Sequence, residues 1–300
     1  MLKIAFNDYY IQPLPEGHRF PMDKYDLLPK QLLHEGTIEE DQLFSPGTIA
    51  EDQVLAVHDK VYFNRLRNLE LDRREQRKSG FPHDEHLIKR EQIIMEGTRK
   101  CAELALETGV AMNIAGGTHH AYADRAEGFC LLNDQAIAAK WLLDTNKVGS
   151  ILIIDLDVHQ GNGTAKIFQD EPKVFTFSMH GANNYPLKKE KSDLDVPLED
   201  GVDDKTYIYE LDKHLDQILS NFNPEFLFFQ SGVDIIETDK LGRMNVSIKG
   251  CLQRDEVIFR LARELNVPIV SSMGGGYSKE IKYIIEAHAN TFRAAQHILF

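Results

Sequence analysis

Short apolar runs alternate with amphipathic stretches along most of this chain, and the alternation predicts a parallel α/β fold. The clearest run covers residues 150–155, where four apolar residues lead directly into Asp155. A short continuous apolar run is typical of a strand that is buried on both faces of a sheet. The other predicted strands span residues 1–6, 110–115, 173–178, 225–230 and 267–272.

Helical periodicity fills most of the segments between these strands. Residues 70–86 are highly charged and are predicted to form a surface loop, and Gly109 is a C-terminal signal for the helix before it. Strands and helices that alternate in this way form βαβ units. We therefore predict one α/β domain over residues 1–300, with three layers and a central, mostly parallel sheet between helices. The predicted helices span residues 23–35, 51–69, 87–108, 136–144, 163–169, 204–221, 250–265 and 279–298.

Polar side chains follow the predicted strands at the point where each strand ends. The carboxyl ends of parallel strands meet at one edge of a sheet, which is where ligands bind in such folds. Chance scatter would not place chemical groups so consistently at strand ends. The groups are His119 and His120, Asp155, Asp157 and His159, Ser178 and His180, Asp234, and Tyr277 after three glycines.

Three of these residues suggest a metal site. Asp157 and His159 are two residues apart, so their side chains point the same way on an extended chain. Together with Asp234 they offer two oxygens and one nitrogen, and three protein ligands leave a position open, as in catalytic zinc sites. Asp155 can be a further ligand or an outer partner. Taken alone, the Asp-x-Asp-x-His pattern also fits a strand-end turn with solvated acids.

The remaining strand-end residues suggest acid–base chemistry. Adjacent histidines, His119 and His120, can serve as a base and an electrostatic partner. Tyr277 can donate a hydrogen bond to an oxyanion from its glycine-rich loop. Taken singly, a surface loop explains the histidine pair and a packed tyrosine explains the glycine-rich segment.

Composition and charge disfavour several classes of protein. The net charge of −13 disfavours nonspecific binding to nucleic acid or to an anionic membrane surface. The three cysteines, Cys101, Cys130 and Cys251, are widely spaced and suggest neither a disulfide framework nor a cysteine zinc site. With no long apolar segment at the start or elsewhere, we expect a cytoplasmic protein.

Several segments together resemble the zinc-dependent histone deacetylase superfamily. They occur in the order of that family and cover residues 85–280, and the family has the arginase/deacetylase α/β fold. Gly80-Phe-Pro82, and Gly-Asn after the His-Gln pair, are similar to the class IV branch and its bacterial relatives. The segments are Gly116-Gly-Thr-His-His-Ala121, Gly128-Phe-Cys-Leu-Leu-Asn-Asp134, Ile154 to Gly163, Phe177-Ser-Met-His180, Gln230-Ser-Gly-Val-Asp234, Asp239-Lys-Leu-Gly242 and Gly274-Gly-Gly-Tyr277.

The resemblance implies a role for each matching residue. His120 would be the general base and then the acid, and Tyr277 would stabilise the tetrahedral intermediate. His119 would remain near the oxyanion as an electrostatic partner, oriented by Asp155. The zinc ligands would be Asp157, His159 and Asp234.

The resemblance also implies a substrate channel and a second ion. Gly128 and Phe129 would line a channel for an acyl-lysine, with Tyr185 as a candidate for the second aromatic wall. A structural potassium ion would be bound, mostly by main-chain oxygens, at Asp155, Asp157, His159, Ser178 and Met179.

One position departs from the better-known classes. The carboxylate that usually supports the second histidine is replaced by Asn162. An amide can accept a hydrogen bond from the imidazole and fix its tautomer. It cannot stabilise the imidazolium by charge.

These observations predict a metal-dependent amide hydrolase that removes acetyl or longer acyl groups from lysine side chains. Zn²⁺ and Fe²⁺ both suit the ligand set. An acylpolyamine or another small acylated amine is an alternative substrate. A ureohydrolase would need two metal ions, and a non-catalytic acyl-amine binder would need neither Tyr277 nor the two histidines.

Overall fold

The computed structural model describes residues 1–300 and has eight strands and ten α-helices. The strands are β1 Lys3–Ala5, β2 Leu43–Phe44, β3 Val110–Asn113, β4 Ile151–Asp155, β5 Val174–Gly181, β6 Leu194–Leu198, β7 Phe226–Gln230 and β8 Ile269–Ser272. The helices are α1 Lys24–His34, α2 Glu51–Leu55, α3 Lys60–Arg67, α4 Arg73–Ser79, α5 Glu85–Thr108, α6 Asp134–Asp144, α7 Asn162–Phe168, α8 Asp204–Leu219, α9 Ile248–Leu265 and α10 Ile281–Leu299.

All eight strands belong to one sheet in the order β2-β1-β3-β8-β7-β4-β5-β6. Every neighbouring pair is parallel, so the predicted mostly parallel sheet is fully parallel. The predicted α/β class and its central sheet are therefore confirmed. Since all strands run the same way, their carboxyl ends lie at a single edge.

The core lies on both faces of the sheet. Successive side chains of a strand point to opposite faces, and on β4 Leu152 and Ile154 pack in one apolar cluster while Ile151 and Ile153 pack in the other. Strand β7 repeats this division, and its five residues are all buried. Burial on both faces explains why these strands read as continuous apolar runs.

The region before α5 differs from the prediction. Residues 51–69 form two helices rather than one, because Asp59 caps a new start by accepting a hydrogen bond from Tyr62 N at 2.9 Å. The predicted loop at 70–86 is wrong, since it contains α4. Asp72 and Glu75 form a capping box at its start, and Gly80 ends it with a φ of +79°.

Two short edge strands, β2 and β6, were not predicted. Strand β6 mixes polar and apolar residues and contains Pro197, which is tolerated at the edge of a sheet. No helix of the chain combines the length and the apolar character that crossing a membrane requires.

Candidate metal centre and active site

The strand-end residues predicted from the sequence meet at the carboxyl edge of the central strands. Asp157 and His159 lie in the segment after β4, Asp234 follows β7, and Tyr277 follows β8. His120 and its neighbour lie in the segment after β3, which pairs with β8. Residues separated by more than one hundred positions are thus brought into one site.

Asp157, His159 and Asp234 form a cluster that can hold a metal ion. One ligand atom from each lies within 4.8 Å of the other two, and all three residues are buried. His159 Nδ1 is 3.0 Å from Asp157 Oδ1 and 3.1 Å from Asp234 Oδ2. Asp234 Oδ2 nevertheless has no partner in hydrogen-bond geometry, so a buried carboxylate oxygen is left over. An unpaired oxygen of this kind fits a ligand to a cation.

The electrostatics of the cluster also favour a positive charge. Burial lowers the pKa of His159, but Asp234 and Asp157 together raise it to about 10. The pKa of Asp234 is raised to about 7, first by burial and then by the neighbouring Asp157. Two carboxylates that repel each other and stabilise a proton between them form a suitable environment for a divalent ion.

Backbone groups orient the two carboxylates. Asp157 Oδ2 accepts from Gly275 N at 2.9 Å, and Asp234 Oδ1 accepts from Val158 N at 2.9 Å. A Cβ on Gly275 would lie 2.1 Å from Asp234 Oδ2, so only glycine allows this close approach. The buried Arg254 supports the same loops from behind by donating to the carbonyl of Gly232 at 2.5 Å.

The two adjacent histidines have opposite electrostatic environments. His119 Nδ1 lies 2.7 Å from Asp155 Oδ2, and although burial lowers its pKa, Asp155 and Asp157 raise it to about 9. The pKa of His120 is well below its usual value because of burial and the nearby His119 and His159. His119 is therefore suited to stay protonated and His120 to start as a neutral base.

Asn162 contacts His120 through its amide oxygen. His120 Nδ1 lies 2.6 Å from Asn162 Oδ1, and Asn162 is 1 % exposed at the start of α7. The hydrogen bond leaves Nε2 of His120 available to exchange a proton.

Tyr277 and the predicted channel residues form the walls above the cluster. The Tyr277 ring is 6.3 Å from the His159 ring and 6.0 Å from Phe129. Burial and the carboxylates of Asp234 and Asp157 raise the pKa of Tyr277 well above its usual value, so its hydroxyl remains a donor.

These walls surround an entrance cavity of about 280 Å³. Tyr185, the candidate second wall aromatic, packs edge-on against His120 with ring centroids 5.1 Å apart. Gly128 and Phe129 line the same cavity with φ values of +56° and +67°, and a Cβ on Gly128 would lie 2.5 Å from the His120 ring. The cavity reaches from solvent to both His120 and His159.

The residues proposed for a potassium ion are also adjacent. Asp155 of β4 pairs with Ser178 of β5, and Met179 follows on the same strand. The Ser178 hydroxyl lies 2.9 Å from His180 Nδ1. Potassium binding at Asp155, Asp157, His159, Ser178 and Met179 stays a prediction.

Three residues near the site had no role in the sequence analysis. Lys24 is fully buried and donates to Gly274 O at 2.8 Å, and burial lowers its pKa to about 8. Asp239 accepts from Tyr277 N at 2.5 Å and so holds the tyrosine backbone. Glu127 lies behind Asn162. Asp239 begins one of the recognised segments and Glu127 directly precedes another, whereas no sequence signal distinguishes Lys24 from an exposed lysine of α1.

Comparisons with known proteins identify the family to which the chain is similar. The family model described as "Histone deacetylase domain" matches residues 18–292. A protein of uncharacterised function from Picosynechococcus is 39 % identical over 295 residues, which is 98 % of each chain. Histone deacetylase 2 of Arabidopsis thaliana is 31 % identical over 277 residues, covering 89 % of this chain and 72 % of the plant protein.

A solved structure extends the similarity to the fold. The crystal structure of an HDAC homologue complexed with SAHA superimposes with a TM-score of 0.86 at 25 % identity. The match covers 99 % of this chain and 84 % of the homologue.

Proposed function

The chain belongs to the histone deacetylase family, and on that basis we propose that it is a metal-dependent hydrolase that removes acyl groups from lysine side chains. The observation that carries the proposal is that His159 of the buried Asp157, His159 and Asp234 cluster lines the same cavity as His120 and Tyr277. A binding protein needs only the cavity, whereas these groups are the ones that amide hydrolysis requires.

A bound metal ion supplies a Lewis acid that polarises the amide carbonyl and makes a water molecule more acidic. His120 accepts the proton of the attacking water at Nε2 and returns it to the nitrogen of the departing amine. Tyr277 donates its hydroxyl hydrogen bond to the carbonyl oxygen as negative charge develops there. The carbon–nitrogen bond breaks, and the products are a free amine and a carboxylate.

A single metal ion is proposed, of which Zn²⁺ and Fe²⁺ are the candidates. The chain contains one cluster of three such ligands. Asp155 does not join it, because its Oδ2 is 2.7 Å from His119 Nδ1. This arrangement gives no support to a two-metal ureohydrolase.

The charge at the entrance favours an acyl-lysine peptide over an acylpolyamine. Arg19 and Arg243 line the entrance cavity, and no aspartate or glutamate lines it, although acidic residues outnumber basic ones by 47 to 34 in the chain. The guanidinium carbon of Arg19 lies 5.0 Å from the centre of the Phe129 ring. A polyamine retains positive charge after acylation, so this entrance repels it.

The test is turnover by the metal-loaded protein. After reconstitution with Zn²⁺ or Fe²⁺, the protein is assayed with peptides that carry acetyl-lysine or longer acyl-lysines, and with acetylated polyamines. We expect release of the free lysine peptide. No turnover of any peptide with either metal would contradict the proposal, and faster turnover of the polyamines would establish the alternative substrate.

Reversing the entrance charge should change the choice of substrate. In the Arg19→Glu/Arg243→Glu variant, kcat/KM for an acetylpolyamine relative to a neutral acetyl-lysine peptide should rise about 10-fold at low salt, the lower end of charge-steering effects. The gain should shrink as salt screens the charges.

The matched control reverses two charges that do not line the cavity, Lys213 on α8 and Arg260 on α9. Lys213→Glu/Arg260→Glu should leave the substrate ratio unchanged. An equal ratio in the parent and the entrance variant would show that the two arginines do not select the substrate.

A further inference from the structure

The hydrogen bonds that support His120 continue beyond Asn162 to a carboxylate. Asn162 Oδ1 lies 2.6 Å from His120 Nδ1, and on its other side Asn162 Nδ2 donates to Glu127 Oε1 at 2.9 Å. Asn162 Nδ2 also donates to the Tyr122 hydroxyl at 3.0 Å, and that hydroxyl donates to Glu190 at 3.1 Å. Both hydrogen-bond paths that start at Asn162 Nδ2 therefore end at a carboxylate, one at Glu127 and the other at Glu190.

The direction of these hydrogen bonds fixes the state of the histidine. An ionised carboxylate can only accept, so the Asn162 group that faces Glu127 must be the NH₂. The amide oxygen is then the group that faces His120, and it can accept only if Nδ1 carries the proton. The Nε2 lone pair is left free toward the cavity, which is the form a general base needs.

We propose that Glu127 is a positioning residue that sets the tautomer of His120 through Asn162 and supplies the negative charge that position 162 lacks. The inference rests on the proposed function for its catalytic consequence, although the hydrogen-bond chain exists independently of it. In this arrangement residue 162 is an amide, and the carboxylate charge lies one residue further from His120, on Glu127.

The local backbone holds Glu127 in this place. Glu127 and Cys130 exchange two backbone hydrogen bonds of 2.9 Å across a tight turn whose two middle residues, Gly128 and Phe129, have positive φ. The Glu127 side chain is 17 % exposed, and its Oε1 also accepts from the Tyr185 hydroxyl at 2.5 Å. One turn therefore presents Phe129 to the entrance and a carboxylate to Asn162.

The kinetic test removes the carboxylate charge from residue 127 and then restores a carboxylate charge at residue 162. Glu127→Gln keeps the size and an acceptor oxygen but removes the charge. We expect kcat on an acyl-lysine peptide to fall about 10-fold, part of the ~10²–10⁴ that general acid–base catalysis contributes, while KM stays within about two-fold.

The double variant Glu127→Gln/Asn162→Asp should recover kcat to within about three-fold of the parent. Its carboxylate accepts directly from His120 Nδ1, and the glutamine amide donates to that carboxylate. A loss caused only by releasing Tyr185 or loosening the turn could not be recovered by a substitution at residue 162. A parent-like kcat in Glu127→Gln, or a loss that the double variant does not recover, would overturn the proposal.

Glu190→Gln is the matched control. It removes the other carboxylate of the network, which is separated from Asn162 by the Tyr122 hydroxyl. Because Glu127 still fixes the amide in this variant, kcat should stay within about two-fold of the parent.

A spectroscopic readout separates this inference from the proposed function. Long-range ¹⁵N–¹H NMR spectra of the histidine-labelled, metal-loaded protein report the tautomer of His120, with the His120→Ala variant to assign its signals. We expect the Nδ1–H form in the parent. In Glu127→Gln we expect a mixture with the Nε2–H form, because the side-chain amides of residues 127 and 162 can rotate and exchange the positions of their oxygen and NH₂ groups. The same tautomer in both proteins would overturn the inference, whereas the expected change without turnover of any peptide would contradict only the proposed function.

Discussion

Replacing Asp234 should abolish metal binding and turnover while leaving the fold intact. Asp234→Asn keeps the shape of the side chain and an oxygen that can accept from Val158 N, but removes the charge of one of three ligands. Losing an outer partner of a metal site already costs about 10–100-fold in affinity, so losing a ligand should cost at least ~100-fold. Metal content after dialysis and kcat measure the two losses.

Thermal unfolding measures metal binding by this variant without relying on enzymatic activity. A metal ion that binds only the folded state raises Tm, and this increase should disappear in Asp234→Asn. Without metal, the variant should be at least as stable as the parent. Burial and the neighbouring Asp157 raise the pKa of Asp234, which means that its negative charge is unfavourable in the folded protein. Replacing the carboxylate with a neutral amide removes this unfavourable charge.

The matched control is Asp193→Asn, which removes a carboxylate bound to the backbone and hydroxyl of Thr176 instead of the site. This control should keep the metal-dependent rise in Tm. Full metal occupancy and parent turnover in Asp234→Asn would exclude Asp234 from the site.

Tyr277→Phe should slow turnover with no loss of metal. Tyr277 lines the entrance cavity, and burial raises the pKa of its hydroxyl, which therefore stays protonated and can donate to an oxyanion. Removal of one such donor costs about 10²–10³ in kcat. The backbone hydrogen bond from Tyr277 N to Asp239 remains in the variant, so the loop should keep its position.

Tyr62→Phe provides the contrast for this measurement. The Tyr62 hydroxyl donates to Leu131 O at 2.7 Å in the core, so its removal should lower stability by about 1 kcal/mol and leave kcat unchanged. A near-parent kcat in Tyr277→Phe, at equal metal content, would reduce Tyr277 to a packing residue.

The sequence by itself determined six of the eight strands, most of the helices between them, and the edge of the sheet that carries the chemistry. Strands β4 and β7 are buried on both faces, so they appear as unbroken apolar runs that need no knowledge of their partners. Because parallel strands share one carboxyl edge, the polar residues after each run had to lie near one another. Helix α4 carries local signals in its capping box and Gly80, but its high charge is equally typical of a solvated loop.

Only the tertiary structure decided which side chains touch. Glu127 and Asn162 are 35 positions apart, and Lys24 and Gly274 are 250 apart, so their hydrogen bonds leave no periodic trace in the sequence. Arg19 and Arg243 likewise become neighbours of one cavity only when the chain folds. The physical reason is that burial repeats along an element and can be read locally, whereas a hydrogen bond depends on the three-dimensional placement of two atoms.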